Sequence, residues 1–203
     1  SERLSREYEL SLVFSNPSVA FHVYLITKSG QAGGGEYVTV YSAMKMPDRH
    51  EISRVEEPWV WGEIVAPSRF LGALTTLVHE RTGMIHETSP LAGERLLVRF
   101  EAPLREIIVD FHDVLKSISS GFASFSYVLG TYRPIDVVRL DILVAEEKVP
   151  AFSEIVPTQR AYMLGRGRIQ KLKELLPREL FSVALQAQVE GRVLARETIA
   201  AMR

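Results

Sequence analysis

Between Trp59 and Leu129 the apolar positions switch between a period of two and a period near 3.6, and the switches mark successive elements. Trp59 to Val65 reads as a strand. Pro67 suits a first helical position, and Phe70, Leu71, Leu74, Leu77 and Val78 then make one apolar face that Gly83 stops. Met84 to Thr88 reads as a short strand, followed by a turn from Ser89-Pro90 to Gly93. In Arg95 to Phe100, the side chains of Leu96, Val98 and Phe100 share one face. Pro103 opens a second helix with Leu104, Ile107, Ile108, Phe111, Leu115 and Ile118 inward. Gly121 ends it, and Phe122 to Leu129 returns as a strand. The order βαββαβ predicts a split-βαβ, ferredoxin-like unit: two helices on one face of a four-stranded antiparallel sheet.

The flanks read differently. A short helix over Glu2 to Glu9 precedes Leu12-Val13-Phe14 and the turn Ser15-Asn16-Pro17-Ser18. Val19 to Ile26 is β-branched and aromatic, as strands prefer. Thr27 to Glu36 is expected to be a loop, because Gly33-Gly34-Gly35 fixes no backbone conformation, and Tyr37 to Tyr41 a second strand. After Arg133-Pro134, strands are expected at Val137 to Val144 and Val149 to Val156. A helix follows over Gln159 to Leu176 despite Gly165 and Gly167, and Pro177 breaks it. Phe181 to Val189 reads as a strand, Gly191 as a turn and Ala195 to Met202 as a final helix. The class is therefore α+β, with a partial segment at 1–54, the ferredoxin-like domain at 55–133 and a third, incomplete α/β unit at 134–203. The chain starts without Met inside one expected helix and stops inside another, as a piece of a longer polypeptide would.

Composition narrows the chemistry. The 203 residues contain no cysteine, so disulfide and thiolate chemistry are excluded. No run of eighteen apolar residues occurs and the first residues do not resemble a signal peptide, which points to a soluble protein. The net charge is -1, so any nucleic-acid binding must use a local patch. One exists. From Arg160 to Arg178, the cations Arg160, Arg166, Arg168, Lys171, Lys173 and Arg178 face a single acid, Glu174. Arg166-Gly167-Arg168 carries little bulk, which would let a phosphate backbone approach, and cations on phosphates are the sequence-independent part of nucleic-acid affinity. Arg192, Arg196 and Arg203 are candidates for the same surface. The bland reading is a solvated helix face with Ile169, Leu172, Leu175 and Leu176 inward.

Catalytic constellations are weak. No G-x-x-x-x-G-K-[ST] loop is present, and Gly33-Gly34-Gly35 is followed by Glu36, whose charge repels phosphate. His79-Glu80 and His86-Glu87 stand seven apart with Gly83 between, so they read as solvated positions before metal ligands. His112 lies between Asp110 and Asp113 on a helix, with no nucleophile nearby in the pattern. Phe100, Phe122, Phe125 and Tyr127 are candidates for base stacking on a sheet, but core packing accounts for them better.

Several motifs carry a family resemblance. Val55-Glu56-Glu57-Pro58-Trp59-Val60, Ile64-Val65-Ala66-Pro67 and Phe70-Leu71-Gly72-Ala73 resemble the fifth domain of LepA, a translational GTPase family similar to elongation factor G. Pro103 to Phe111 and Leu115 to Phe125 resemble it too. Val138 to Leu143, Lys171 to Arg178 and Ala195 to Ile199 are similar to the LepA-specific C-terminal domain, which elongation factor G lacks. Glu2 to Leu12 and Pro17-Ser18-Val19 resemble the end of the third LepA domain. Gly30 to Gly35 departs as an enlarged hairpin, and Ser42 to Asp48 follows the family turn only loosely.

The resemblance implies a division of labour. The GTPase domain, with its GTP and Mg, the second domain and most of the third lie outside this chain, so no cofactor and no catalytic residue is expected here. The partners implied are the ribosome, ribosomal RNA and tRNA, not DNA. The implied setting is the cytoplasm, with peripheral association at the inner membrane face for the full-length family. Back-translocation, stressed elongation and initiation or assembly all remain open as the step served. The expected RNA-binding residues are Arg160, Arg166, Arg168, Lys171, Lys173, Arg178, Arg192 and Arg196. The rivals are a ferredoxin-like small-molecule or metal-binding regulatory domain, and a protein-interaction scaffold using Trp59 and Trp61.

Overall fold

The computed structural model describes residues 18–26 and 32–202, with backbone only at 32–35. The helix expected at Glu2 to Glu9 and the apolar run Leu12-Val13-Phe14 lie outside the described residues. The chain divides into two compact units, one containing residues 60–129 and the other 20–59 with 130–202. Strands β3 (Ile52–Pro67) and β6 (Ser124–Pro134) pass from one to the other.

The first unit is ferredoxin-like. After β3 come a 3-10 turn at Ser68–Phe70 and helix α1 (Leu71–Glu80), then β4 (Met84–Leu91) and β5 (Arg95–Pro103). Helices α2 (Leu104–Ile107) and α3 (Phe111–Ile118) lead into β6. Neighbouring strands run β4-β5-β3-β6. Pro67 closes the strand instead of opening the helix, which starts only after the 3-10 turn. The single helix expected after Pro103 is two, broken at 108–110, where Val109 turns out to solvent.

Alternation in β5 does what the pattern required: Leu96, Val98 and Phe100 are buried against Leu74, Val78, Phe111 and Leu115. Phe100, Phe111 and Phe125 form a ring cluster with centroids 4.9–6.1 Å apart, within the range of favourable aromatic pairs. Gly62 in β3 makes room for it, since a Cβ there would lie 2.5 Å from Phe100 Cζ. Gly83 likewise supplies space. The left-handed residue that ends α1 is Thr82 (φ 57°), while a Cβ on Gly83 would meet Val78 Cγ1 at 2.7 Å.

In the second unit, β1 (Phe21–Ile26), β2 (Ala32–Val40) and the first half of β3 pair antiparallel, with β1 in the middle. The glycines expected to form a loop lie inside β2. Tyr24 faces Tyr37 and Ile26 faces Ala32, so five steps on β2 match two on β1, and Gly33-Gly34-Gly35 sits in that bulge. A second sheet has the order β11-β10-β7-β8, with β9 also on β7. Its strands are β7 (Val137–Val144), β8 (Glu147–Lys148), β9 (Glu154–Pro157), β10 (Val183–Val189) and β11 (Arg192–Ile199). The strand expected over Val149 to Val156 is therefore split, because Pro150 has no N–H to donate and starts a 3-10 turn.

The final helix expected over Ala195 to Met202 is instead β11. Its Ala-Arg-Glu helix formers are overridden by pairing along β10, from Val183 with Ile199 to Val189 with Arg192. Helix α4 (Ala161–Leu175) covers one face of this sheet, burying Ala161 and Ile169 on Leu140, Ile142 and Leu185. On the opposite face, the carboxylate of Asp141 is almost fully buried. Burial pushes its pKa up, but hydrogen bonds from Lys148 and Ser153 and the charges of Arg139 and Lys148 outweigh that and hold it below the usual value of 3.8.

Two glycines separate the packing account from a mere propensity effect. Gly62→Ala is expected to lose about 1–3 kcal/mol in urea unfolding through overpacking against Phe100. Gly72→Ala, whose Cβ meets nothing within 4 Å, should be neutral or stabilising. Equal losses for both variants would refute the packing account.

Candidate nucleic-acid interface

The register of α4 is set by Gly165. A Cβ at this position would fall 2.8 Å from Ala187 Cβ and 3.2 Å from Leu140 Cδ1, so only glycine lets the helix sit this close to the sheet. At roughly 100° per residue, Gly167 then points away, about 200° round. Its Cβ direction is open, with nothing within 4 Å. Of the two glycines beside Arg166, one is therefore a packing residue and the other lies on the outer surface.

The same rotation sorts the cations. Arg168 falls on the β9 flank, where Nη2 sits 2.9 and 3.1 Å from the two carboxylate oxygens of Glu154 and Nε is buried without a partner. Lys173 falls on the β11 flank, 2.8 Å from Glu197. Arg160 is half-buried at the N-terminal end of the helix and is also engaged. Arg166, Lys171 and Arg178 are exposed and make no ion pair among the described residues. Arg192 is exposed at the β10–β11 turn. Arg196 pairs across the ladder with Gln186, out of phase with Leu185 and Ala187, and so projects from the sheet face opposite the helix. The eight residues thus do not converge on one surface. Among the described residues, three cations without an ion pair belong to α4 and the segment just after it.

The first unit offers a second exposed group, built on a ring for which core packing was the better expectation. Phe122 is 63% exposed, and the Arg69 guanidinium lies 5.5 Å from its ring and 4.8 Å from that of Phe70. Phe122 follows Gly121, whose φ of +82° turns the chain out of α3 and presents the ring to solvent. Tyr127 is also exposed, whereas Phe100 and Phe125 belong to the core. The signal available in the sequence was an apolar residue directly after a helix-ending glycine. His86 pairs with Glu101 at 2.9 Å, not with Glu87, which Arg99 and Ser89 hold. Among the described residues, His112 reaches only Asp113, at 3.8 Å on an open surface. A depression of about 130 Å³ lined by Glu63, Val65, Ser124, Phe125 and Ser126 is smaller than the ~300–1,000 Å³ typical of small-molecule sites.

In the second unit, His22 is stacked between Tyr37 and Tyr132, with centroids 3.8 and 3.5 Å away. Alternation along β1 puts Phe21 and Val23 inward and His22 and Tyr24 outward, and Arg54 covers the Tyr24 ring at 4.1 Å. Burial lowers the His22 pKa from 6.5, against the opposing pull of Glu56. The unfolded chain therefore takes up this proton first. Stability from His22 is complete above pH ~6.5 and declines as pH falls from there through the lower folded-state value. His22→Phe, which keeps a ring in the stack, should flatten the drop in urea midpoint between pH ~7.5 and ~5.5. An unaltered pH profile in the variant would contradict this assignment.

Sequence comparison adds a family to this geometry. Residues 54–143 match the model of the elongation factor G C-terminus, and residues 144–203 that of the C-terminus of the GTP-binding protein LepA. Elongation factor 4 of Sulfurimonas denitrificans is 41% identical over 201 residues, covering 99% of this chain and 33% of that protein. Elongation factor 4 of Clostridium botulinum strain Hall is 43% identical over 202 residues, covering 100% of this chain and 32% of that protein. The chain spans about a third of the length of these curated relatives. The two models together match residues 54–203, and the chain belongs to the LepA family.

Proposed function

We propose that this chain is the RNA-binding, non-catalytic part of a LepA-type translation factor, docking on the ribosome through contacts with ribosomal RNA and tRNA. The observation that carries the reading is the outer side of α4. Arg166 and Lys171 are exposed and unpaired there, and Arg178 follows in the next segment, while the cations nearest to carboxylates are already neutralised. Unpaired Arg and Lys contribute phosphate contacts that position a protein without reading sequence. The exposed Arg69–Phe122 pair adds a cation and a ring of the kind that bases stack on. Relatives named Elongation factor 4 support a role in translation, and the chain, which spans about a third of their length, is read as a part without the nucleotide-hydrolysing machinery. Its place of work is the cytoplasm. Among the described residues, no helix is long and apolar enough to cross a membrane.

Three phosphate contacts predict a log affinity that falls with log salt at a slope of about -2 to -3. Arg166→Glu combined with Lys171→Glu should weaken binding to ribosomes or tRNA by roughly tenfold or more, with the unfolding midpoint unchanged. Wild-type binding by this variant in a filter assay would remove α4 from the interface. The chain alone is expected to hydrolyse no GTP, and robust turnover would contradict the assignment.

A further inference from the structure

Gly167 has no structural reason to be glycine. It lies in the middle of a fifteen-residue helix, where glycine is among the worst helix formers, and a Cβ there would enter open space. Gly165, two residues earlier, needs the absence of a Cβ in order to pack. The surface round Gly167 is also specific in its chemistry. Arg166 lies on one side of it and Lys171 about one turn on at the other, both without an ion pair among the described residues. Met163 and Gln170 complete the exposed patch, and from Tyr162 to Lys171 the helix carries no carboxylate at all. Glu174, the next acid on this side, is two turns beyond Gly167.

We infer that Gly167 is the point of closest approach between α4 and the sugar–phosphate backbone of an RNA, with Arg166 and Lys171 gripping phosphates on either side. This rests on the RNA-binding reading and adds to it a named contact point and a reason for a destabilising residue. A bare helix backbone lets the polyanion come closer by the thickness of a side chain. The electrostatic attraction of both flanking cations rises accordingly, since it falls off with distance. The choice of RNA over a protein partner follows from charge: the exposed side from Tyr162 to Lys171 carries cations and no carboxylate, Glu174 stands beyond Lys171, and Glu154 and Glu197 are engaged at the flanks by Arg168 and Lys173.

The test substitutes Gly167 by Ala and by Leu in the full chain and measures binding to a short RNA hairpin with an A-form stem and to whole ribosomes, alongside thermal unfolding. The expected result is a Tm raised by about 2–4 °C in Gly167→Ala with affinity for both targets reduced about tenfold, and further still in Gly167→Leu. The salt slope should stay near that of the wild type, because no charge is removed. Unchanged affinity in both Gly167 variants, with weakened binding in Arg166→Glu/Lys171→Glu, overturns the closest-approach inference and leaves the RNA-binding reading standing. Unchanged affinity in all three overturns both. Weakened binding to ribosomes with wild-type binding to the hairpin also overturns the inference, because the bare helix is then not what a sugar–phosphate backbone approaches.

Discussion

Everything exposed by α4 follows from one close contact, the seam at which Gly165 lies against Ala187 and Leu140. Because a side chain does not fit there, the helix has one rotational setting on the sheet and no freedom to roll. That setting buries Ala161 and Ile169 and sends Arg168 and Lys173 to opposite flanks. It leaves Gly167 and Lys171 on the solvent side, with Arg166 exposed about 100° round from Gly165. The glycine that fixes the helix thus sits two positions from the glycine whose Cβ direction is open to solvent.

The division among the cations has an energetic sense. Arg168 and Lys173 bridge the helix to β9 and β11. Their half-exposed pairs add little stability of their own but hold nearby carboxylates away from the outer surface. A chain with a net charge of -1 can present a cationic patch only if its acids are placed elsewhere or engaged, and both devices operate here. The ferredoxin-like unit supplies a different kind of surface. Its aromatic core around Phe100 is closed, while the glycine turn before Phe122 places one ring outside, beside Arg69.

Much of the fold could be read from the residues, and the failures have local causes. The βαββαβ order and the inward faces of β5, α1 (Leu71 excepted, which is exposed) and the helical stretch after Pro103 follow directly from hydrophobic period. Strong alternation and long apolar stripes leave few alternatives. The reading failed where pairing overrode propensity. Ala195-Arg196-Glu197 looks helical but completes a ladder with β10, and Gly33-Gly34-Gly35 looks like a loop but forms a bulge within β2. At the site, the charge run was visible, yet its partners were not. Glu154 lies 14 residues from Arg168 and Glu197 lies 24 from Lys173, so only tertiary structure could reveal which cations are free. The stack of Tyr37, His22 and Tyr132 was equally hidden, since its rings come from three separate strands.

The absence of cysteine from the chain permits a direct measurement of which face meets RNA. A single cysteine at Gln170, on the outer side of α4, or at Thr198, exposed on the opposite sheet face, can carry a tethered iron chelate that cleaves nearby nucleic-acid backbone by hydroxyl radicals. In complexes with ribosomes and tRNA, localised RNA cleavage from position 170 and little from position 198 is the outcome predicted. Cleavage from 198 alone, or none from 170 in a bound complex, would contradict the account.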